Sequence, residues 1–150
     1  MIRTDKRLRL CIALLMANLC FIWGNSLLPG EISGAFSDWV KDILTAILPV
    51  GPSVSGSGGL LRKFAHFTEF AALGMLLTWL FGMLNKGRFW PLVCGFSAAC
   101  VDETIQRFIP DRGPSLKDVG IDTCGVITGM VLLLIGHHLI MKKHYGGNKV

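Results

Sequence analysis

Long apolar stretches alternate with short polar segments along the chain, a pattern that favours a helical membrane protein. Four apolar stretches, at residues 8–28, 64–84, 90–108 and 119–140, each have the roughly 17–25 residues that a tilted membrane-spanning helix needs. Between the first two, residues 34–49 carry apolar side chains at helical spacing and polar side chains on the opposite face. The pattern therefore predicts an all-α integral membrane bundle of four transmembrane helices, with an interfacial helix between helices 1 and 2.

The composition agrees with this fold class. Hydrophobic residues make up 51% of the 150 residues and the mean hydropathy is +0.53, which is too apolar for an ordinary soluble domain. The length allows one domain, residues 1–150. The first apolar stretch follows basic residues, as in a signal peptide, but it is long and lacks a small-residue cleavage pattern before Pro29, so we expect a retained anchor helix.

The positive charges indicate an orientation. Basic residues precede helix 1, lie between helices 2 and 3, and follow helix 4, so the positive-inside rule places both termini in the cytoplasm: Arg3, Lys6, Arg7, Arg9, Lys86, Arg88, Lys142, Lys143 and Lys149. Residues 29–62 and 109–117 are then extracytoplasmic, including the interfacial helix. The net charge of +5 is explained by basic residues that set the membrane orientation, so we expect no nucleic-acid partner.

Within the first outer segment, the amphipathic pattern is followed by a stretch rich in serine and glycine. Residues 49–52, Pro-Val-Gly-Pro, end the helix, and residues 53–59 have the composition of a flexible tether. We expect this stretch to be a simple linker or a lid beside the polar helix ends.

Three polar residues open helix 2 near the outer boundary. Lys63, His66 and Glu69 follow one another at intervals of three, so each neighbouring pair lies on the same side of the helix. Lys63 by itself is compatible with snorkelling to the interface, and His66 with simple packing. The His66 and Glu69 pair offers two metal ligands, but no third ligand is defined, so we assign no metal and no cofactor.

Helix 3 runs in the opposite direction and brings polar residues to the same outer face. Glu103 and Gln106 share a helix face, and Arg107 lies one turn after Glu103, where a structural salt bridge between the two is an alternative to a functional role. Asp102 is adjacent to Glu103 and is therefore expected to point elsewhere, towards another helix. Ionisable side chains at membrane depth are functional-site candidates by default.

The loop into helix 4 contains a third basic candidate. Pro110 and Pro114 stiffen the turn, and we expect this loop to present Arg112 rather than to bury it. A guanidinium has the planar fork that suits bidentate contact with a phosphate or carboxylate.

Helix 4 begins with an acidic stripe that leads into a glycine motif. Asp118 lies in the first turn, where its charge also suits the helix dipole, and Asp122 lies one turn deeper on the same face. Gly125 and Gly129 continue that stripe as a G-x-x-x-G, which permits close helix packing. The two aspartates are therefore expected to point into the bundle, and at least one should lie within ion-pair reach of Arg112, Lys63 or His66.

Topology and residue placement together predict one outward-facing polar pocket. Its candidate ligand-binding residues come from helices 2, 3 and 4 and their connecting loop: Lys63, His66, Glu69, Glu103, Gln106, Arg112, Asp118 and Asp122. Four of these have side chains suited to acid, base or metal chemistry and are the catalytic candidates: His66, Glu103, Asp118 and Asp122.

The ordered polar spacing resembles that of the VanZ-like family of bacterial integral membrane proteins. The matching patterns are K-x-x-H-x-x-x-F at Lys63, E-x-x-Q-x-F-x-P-x-R at Glu103 and D-x-x-x-D-x-x-G at Asp118, over about the last two thirds of the chain. The family often has Tyr at the position of Phe70 and Asn at the position of Asp122. The resemblance implies residence in the bacterial cytoplasmic membrane, a cell-envelope role and an association with resistance to teicoplanin.

Three functions are compatible with these residues. In the first, the outer pocket binds an anionic or amphiphilic headgroup, carried by a membrane lipid, a lipid-linked envelope intermediate or a lipoglycopeptide. In the second, the protein is a membrane-embedded hydrolase or transferase acting on a lipid-linked substrate, because carboxylates next to an imidazole can divide acid and base roles. In the third, the buried charges only fix packing or assembly. We rank them in this order.

Overall fold

The protein is described by a computed structural model that covers residues 2–47, 58–113 and 115–146. In these ranges all regular secondary structure is helical, in agreement with the predicted all-α class. The five helices are α1 (Ile2–Ser26), α2 (Gly30–Ile47), α3 (Gly58–Met83), α4 (Phe89–Gln106) and α5 (Leu116–Gly146).

Three of these helices are long and apolar enough to cross a membrane. The candidate spans are Lys6–Ser26, Gly59–Met83 and Leu116–Lys142, and most of each span is not buried inside the protein. Large apolar side chains point outwards along them, for example Leu132, Leu139 and Ile140 on α5. Apolar faces of this extent need a partner, and lipid provides one.

The fourth predicted span corresponds to α4, which does not reach the hydropathy of the three candidate spans. Its 18 residues include Asp102 and Glu103 near the C-terminal end, and it is not among the three helices that qualify by length and hydropathy. Pro91 lies in the first turn of α4, where its missing N–H removes no helical hydrogen bond. We retain a membrane-crossing role for α4 as a proposal.

Helix α2 occupies the place predicted for the interfacial helix, but it begins at Gly30, before the predicted residue 34. Trp39 is exposed, and α2 packs against α3. The linker prediction is partly wrong, because Gly58 and Gly59 already belong to α3. The remainder of the predicted helix end and tether, residues 48–57, lies outside the described part of the chain.

Helix α3 is the centre of the bundle, since it contacts all four other helices. Together with α1, α4 and α5 it buries a compact apolar core: Ile22, Phe70, Leu73, Leu77, Ala98, Ala99 and Val126. A tight turn then leads from α3 to α4. Asn85 adopts a positive φ of 53°, and Lys86 N donates to Phe81 O at 2.9 Å, the hydrogen bond of a Schellman helix end.

The most extensive helix pair is α3 with α5, and it depends on glycine. A Cβ atom built on Gly129 would overlap the carbonyl oxygen of Ala71, and one on Gly74 would overlap that of Val126. At Gly125 the added atom would meet Phe67 O. The predicted close packing at the G-x-x-x-G is thereby confirmed, and this contact fixes how the polar ends of α3 and α5 face each other.

We expect Gly129→Ala to destabilise the bundle, because the new methyl group would push α5 away from the α3 backbone. Overpacking of this kind typically costs about 1–3 kcal/mol. The matched control is Gly136→Ala on the same helix, where a Cβ meets nothing within 4 Å; removal of a helical glycine there should be neutral or stabilising by up to about 1 kcal/mol. Thermal unfolding of the purified protein in detergent measures both, and equal midpoints for the two variants would contradict the close-packing argument.

Candidate functional site

Polar residues from four helices meet at one end of the bundle. The C-terminal ends of α1 and α4 and the N-terminal ends of α3 and α5 lie together there, as shown by a hydrogen bond between Gln106 and Ser26 and an ion pair between Lys63 and Asp118. Six of the predicted residues line one small cavity, along with Arg62 and Ile121: Lys63, His66, Glu103, Gln106, Asp118 and Asp122. The other two, Glu69 and Arg112, lie beside it.

The cavity is narrow. Its volume of about 10 Å³ leaves room for roughly one particle the size of a water molecule. A lipid headgroup does not fit inside a space of this size, so any headgroup would have to bind at the mouth of the cavity rather than within it.

On α3, His66 faces two carboxylates. Its Nδ1 atom lies 3.9 Å from Glu69 Oε2, one turn along the same helix, and 3.9 Å from Asp102 Oδ2 on α4. Glu69 also accepts a hydrogen bond of 2.9 Å from Asn25 Nδ2 of α1. These contacts place the imidazole between α3 and α4 and join α1 to the site.

On α4, three buried polar residues have different roles. Asp102 is fully buried, at 0% exposure, and points towards another helix, as predicted; that helix is α3. Gln106 Nε2 donates to Asp102 Oδ2 at 2.8 Å and to Ser26 Oγ at 3.2 Å, so the amide bridges α4 and α1. Glu103 Oε2 accepts a hydrogen bond of 2.8 Å from the backbone N–H of Ser115, just before α5.

The alternative pairing of Glu103 with Arg107 is not the contact that forms. Glu103 turns towards the start of α5, and Arg107 is exposed at the end of α4. A free backbone N–H at a helix start is a favourable partner for a carboxylate, because it is one of the donors without a partner inside the helix.

On α5, the predicted pairing of the acidic stripe is confirmed at Asp118. Lys63 Nζ lies 3.1 Å from Asp118 Oδ1, and the lysine side chain is 41% exposed, so this pair lies at the rim of the site. Asp122 lies deeper, at 2% exposure. Its Oδ1 atom has no hydrogen-bond partner.

The expectation that the loop presents Arg112 is wrong, because the residue is only 9% exposed. Its Nη2 atom donates to the backbone oxygen of Asn25 at 3.1 Å, near the C-terminal end of α1, where carbonyl groups lack helical partners. Nε and Nη1 have no hydrogen-bond partner. Burial lowers the pKa of Arg112 from its ordinary value, with the nearby Arg62 charge acting in the same direction, yet a guanidinium stays protonated in proteins.

Sequence reasoning missed four residues of the site: Asn25, Ser26, Arg62 and Asp102. Asp102 was recognised as polar at membrane depth but was not assigned to the pocket. Asn25 and Ser26 interrupt the apolar pattern at the C-terminal end of helix 1, which is a signal that would have placed them beside the other polar helix ends. Arg62 directly precedes Lys63, a position that is equally typical of a basic residue anchoring a helix at the membrane interface. No sequence feature therefore placed it in the site.

Among the residues that line or border the cavity, the balance of charge is acidic. Five carboxylates, Glu69, Asp102, Glu103, Asp118 and Asp122, stand against three permanent cations, Arg62, Lys63 and Arg112. The interior of the site therefore suits a cation better than an anion, while the exposed rim at Lys63 remains accessible to anions.

The sequence matches a known protein family. A family model described as VanZ/LLP1 matches residues 11–137, from within α1 to within α5. The match is wider than the polar motifs of helices 2 to 4. No curated protein and no solved structure gave a significant match. Since the family match covers most of the chain, the protein is a member of the VanZ/LLP1 family.

Proposed function

We propose that this VanZ/LLP1-family membrane protein binds the anionic or amphiphilic headgroup of a cell-envelope molecule at the outer face of the bacterial cytoplasmic membrane. The headgroup belongs to a membrane lipid, to a lipid-linked envelope intermediate or to a lipoglycopeptide. Binding of this kind would contribute to resistance of the teicoplanin type. The site is the polar cluster at the joined ends of α1, α3, α4 and α5.

The proposed orientation is supported by the distribution of charge over the two ends of the bundle. Lys86 and Arg88 lie in the turn between α3 and α4, at the end away from the polar cluster. The basic residues near the start of α1 and near the end of α5 belong to the same side as this turn. The polar cluster then faces outwards, with α4 as a fourth span and α2 on the outer surface.

Arg112 carries the proposal. Its guanidinium is fixed at one nitrogen by Asn25 O, while Nε and Nη1 have no partner. A buried donor without a partner costs about 1–3 kcal/mol, and more when it is charged. A phosphate or carboxylate oxygen would supply the missing acceptor, after a small displacement of the loop around Arg112. Arg62 and the half-exposed Lys63 add positive charge at the rim.

The cavity volume determines the binding mode. Because the cavity holds roughly one water-sized particle, the headgroup would contact the rim and the loop of Arg112 with its acyl or prenyl chain lying along the apolar helix surfaces. The ligand would approach from the outer leaflet and would not need to cross the bundle.

A second candidate function is a membrane-embedded hydrolase or transferase that acts on a lipid-linked substrate. The observation in its favour is the position of His66 beside Asp102 and Asp122, with one ligand atom from each within 4.8 Å of the others. An imidazole next to carboxylates can act as a general base towards a bound water. This candidate shares the location and the substrate class of the first and adds a chemical step.

We expect the two ends of α4 to be labelled from opposite sides of the membrane. Gly87 and Gly113 are exposed and a Cβ at either meets nothing within 4 Å, so cysteine is tolerated at both. In intact cells a membrane-impermeant maleimide should label Gly113→Cys, and Gly87→Cys only after permeabilisation. The parent chain, whose five cysteines all lie in the helices, controls for background. Labelling of both variants from one side would overturn the outward-facing site.

We expect Arg112→Lys to weaken binding of a phosphate-bearing lipid, because lysine keeps the charge but lacks the planar set of donors. Loss of a charged hydrogen bond of about 1.5–3 kcal/mol corresponds to roughly a tenfold to hundredfold loss of affinity. The measurement is binding of a polyprenyl phosphate to the purified protein in detergent, with the neutral polyprenol as ligand control. Teicoplanin susceptibility of an expressing strain provides a second readout, after membrane abundance has been checked.

The matched control for this variant is Arg107→Lys, which makes the same change at an exposed arginine five residues earlier. It should bind as the parent does. If the parent protein does not distinguish the phosphate from the alcohol, or if Arg112→Lys retains full affinity, the headgroup proposal is wrong and a structural role of the cluster becomes the better account.

A further inference from the structure

Two carboxylates in the site are buried without full compensation. Asp102 and Asp122 are almost completely shielded, and the Oδ1 atom of each has no hydrogen-bond partner. An unpaired carboxylate at this depth costs several kcal/mol. Either a proton or a positively charged group is therefore expected to neutralise them.

Each of the three neighbouring carboxylates has at least one contact with a cation or a hydrogen-bond donor. Asp118 pairs with Lys63, Glu103 accepts the Ser115 N–H, and Glu69 accepts a hydrogen bond from Asn25. Asp102 receives hydrogen bonds from two neutral groups, the amide of Gln106 at its Oδ2 atom and the hydroxyl of Ser26. In the described part of the chain, no lysine or arginine lies within ion-pair distance of Asp102 or Asp122.

His66 completes a set of three ligands. Its Nδ1 atom also lacks a hydrogen-bond partner, and one ligand atom each from His66, Asp102 and Asp122 lie within 4.8 Å of one another. Tetrahedral ligands at about 2.0–2.2 Å from a zinc ion are separated by roughly 3.4 Å. Side-chain movements of about 1 Å would therefore bring the three atoms into coordination distance.

The space and the surroundings suit an ion of this kind. His66 and Asp122 border the cavity of about 10 Å³, which matches one small ion or one water in size. Glu69 Oε2, another buried oxygen without a hydrogen-bond partner, lies 3.9 Å from His66 Nδ1 and is available as a fourth ligand. The side of the cavity lined by Arg62 and Lys63 leaves an approach from the rim.

We propose that His66, Asp102 and Asp122 bind one divalent cation of the zinc class. An imidazole together with carboxylates is a donor set for zinc and neighbouring first-row metals, whereas magnesium and calcium favour sites made of oxygen alone. The cation would neutralise the two buried aspartates. This inference replaces the expectation, drawn from the sequence, that no metal binds. Local spacing on helix 2 defined no third ligand, because Asp102 and Asp122 come from other helices.

The proposal does not depend on headgroup binding. A cation in the cavity would also place a Lewis acid below the mouth where the headgroup is proposed to bind, and it would favour the hydrolase or transferase over simple binding. Failure of the polyprenyl phosphate experiment would leave the metal site untouched, and absence of metal would leave the headgroup proposal untouched.

The experiment is a zinc titration of the full-length protein, purified in detergent and first treated with a chelator. We expect one equivalent of Zn²⁺ per chain in the presence of excess Mg²⁺, measured by elemental analysis after gel filtration, and a rise in the unfolding temperature that the chelator reverses. Replacing a residue that only hydrogen-bonds to a metal ligand costs roughly 10- to 100-fold in metal affinity. Replacing a residue that coordinates the ion directly should weaken Zn²⁺ binding at least as much.

Asp122→Asn and His66→Gln are the test variants, and each should lose Zn²⁺ affinity by at least that factor. Asp122→Asn keeps the side-chain shape and removes an uncompensated charge, so the apo form should fold as well as the parent does. The matched controls are Asp38→Asn, at an exposed carboxylate, and His138→Gln, at an exposed histidine near the other end of α5; both should bind zinc as the parent does. If the parent binds no stoichiometric zinc, or if folded Asp122→Asn retains the parent's affinity, the proposal is wrong.

Discussion

The contact between the backbones of α3 and α5 determines where every polar group of the site can lie. Apolar burial contributes little to helix association in a membrane, because the lipid chains are as apolar as the core, so close van der Waals packing across small residues has to hold the helices together. Gly74, Gly125 and Gly129 allow that approach. Towards the polar end of the same interface, Lys63 meets Asp118 and His66 lies near Asp122. The separation of the two backbones thus sets the distances between these side chains.

The carboxylates at this end of the bundle fall into two groups by their position. Three of them join different elements: Glu69 joins α3 to α1, Glu103 joins α4 to the start of α5, and Asp118 joins α5 to α3. Asp102 and Asp122 are the most deeply buried, and both lie near His66. Under the proposed metal site, helix-joining and ion-binding roles belong to different residues of one cluster, and variants of the first group are expected to act on folding as well as on function.

The sequence predicted those features that depend on local spacing. Periods of three and four residues were enough to place Lys63 with His66 and Asp118 with Asp122 on inward faces, and alternation of chain direction brought these faces to one end of the bundle. The ordered polar motifs also identified the family correctly. The features that were missed depend on contacts between distant parts of the chain. The orientation of Arg112 follows from Asn25, 87 positions earlier, and no local pattern of the loop contains that information.

Helices α4 and α5 differ greatly in length, although they pack directly against each other. The apolar span of α5 has 27 residues, about 40 Å along the axis, whereas α4 with its 18 residues reaches only about 27 Å. A hydrocarbon core of about 30 Å cannot match both. With α4 as the fourth span, tilting of α5 and local thinning of the bilayer beside α4 are two ways to relieve this mismatch. Thinning beside α4 would bring the headgroup region of the bilayer closer to Asp102 and Glu103. Lipid headgroups and solvent would then reach a polar cluster that lies below the level of the undisturbed membrane surface.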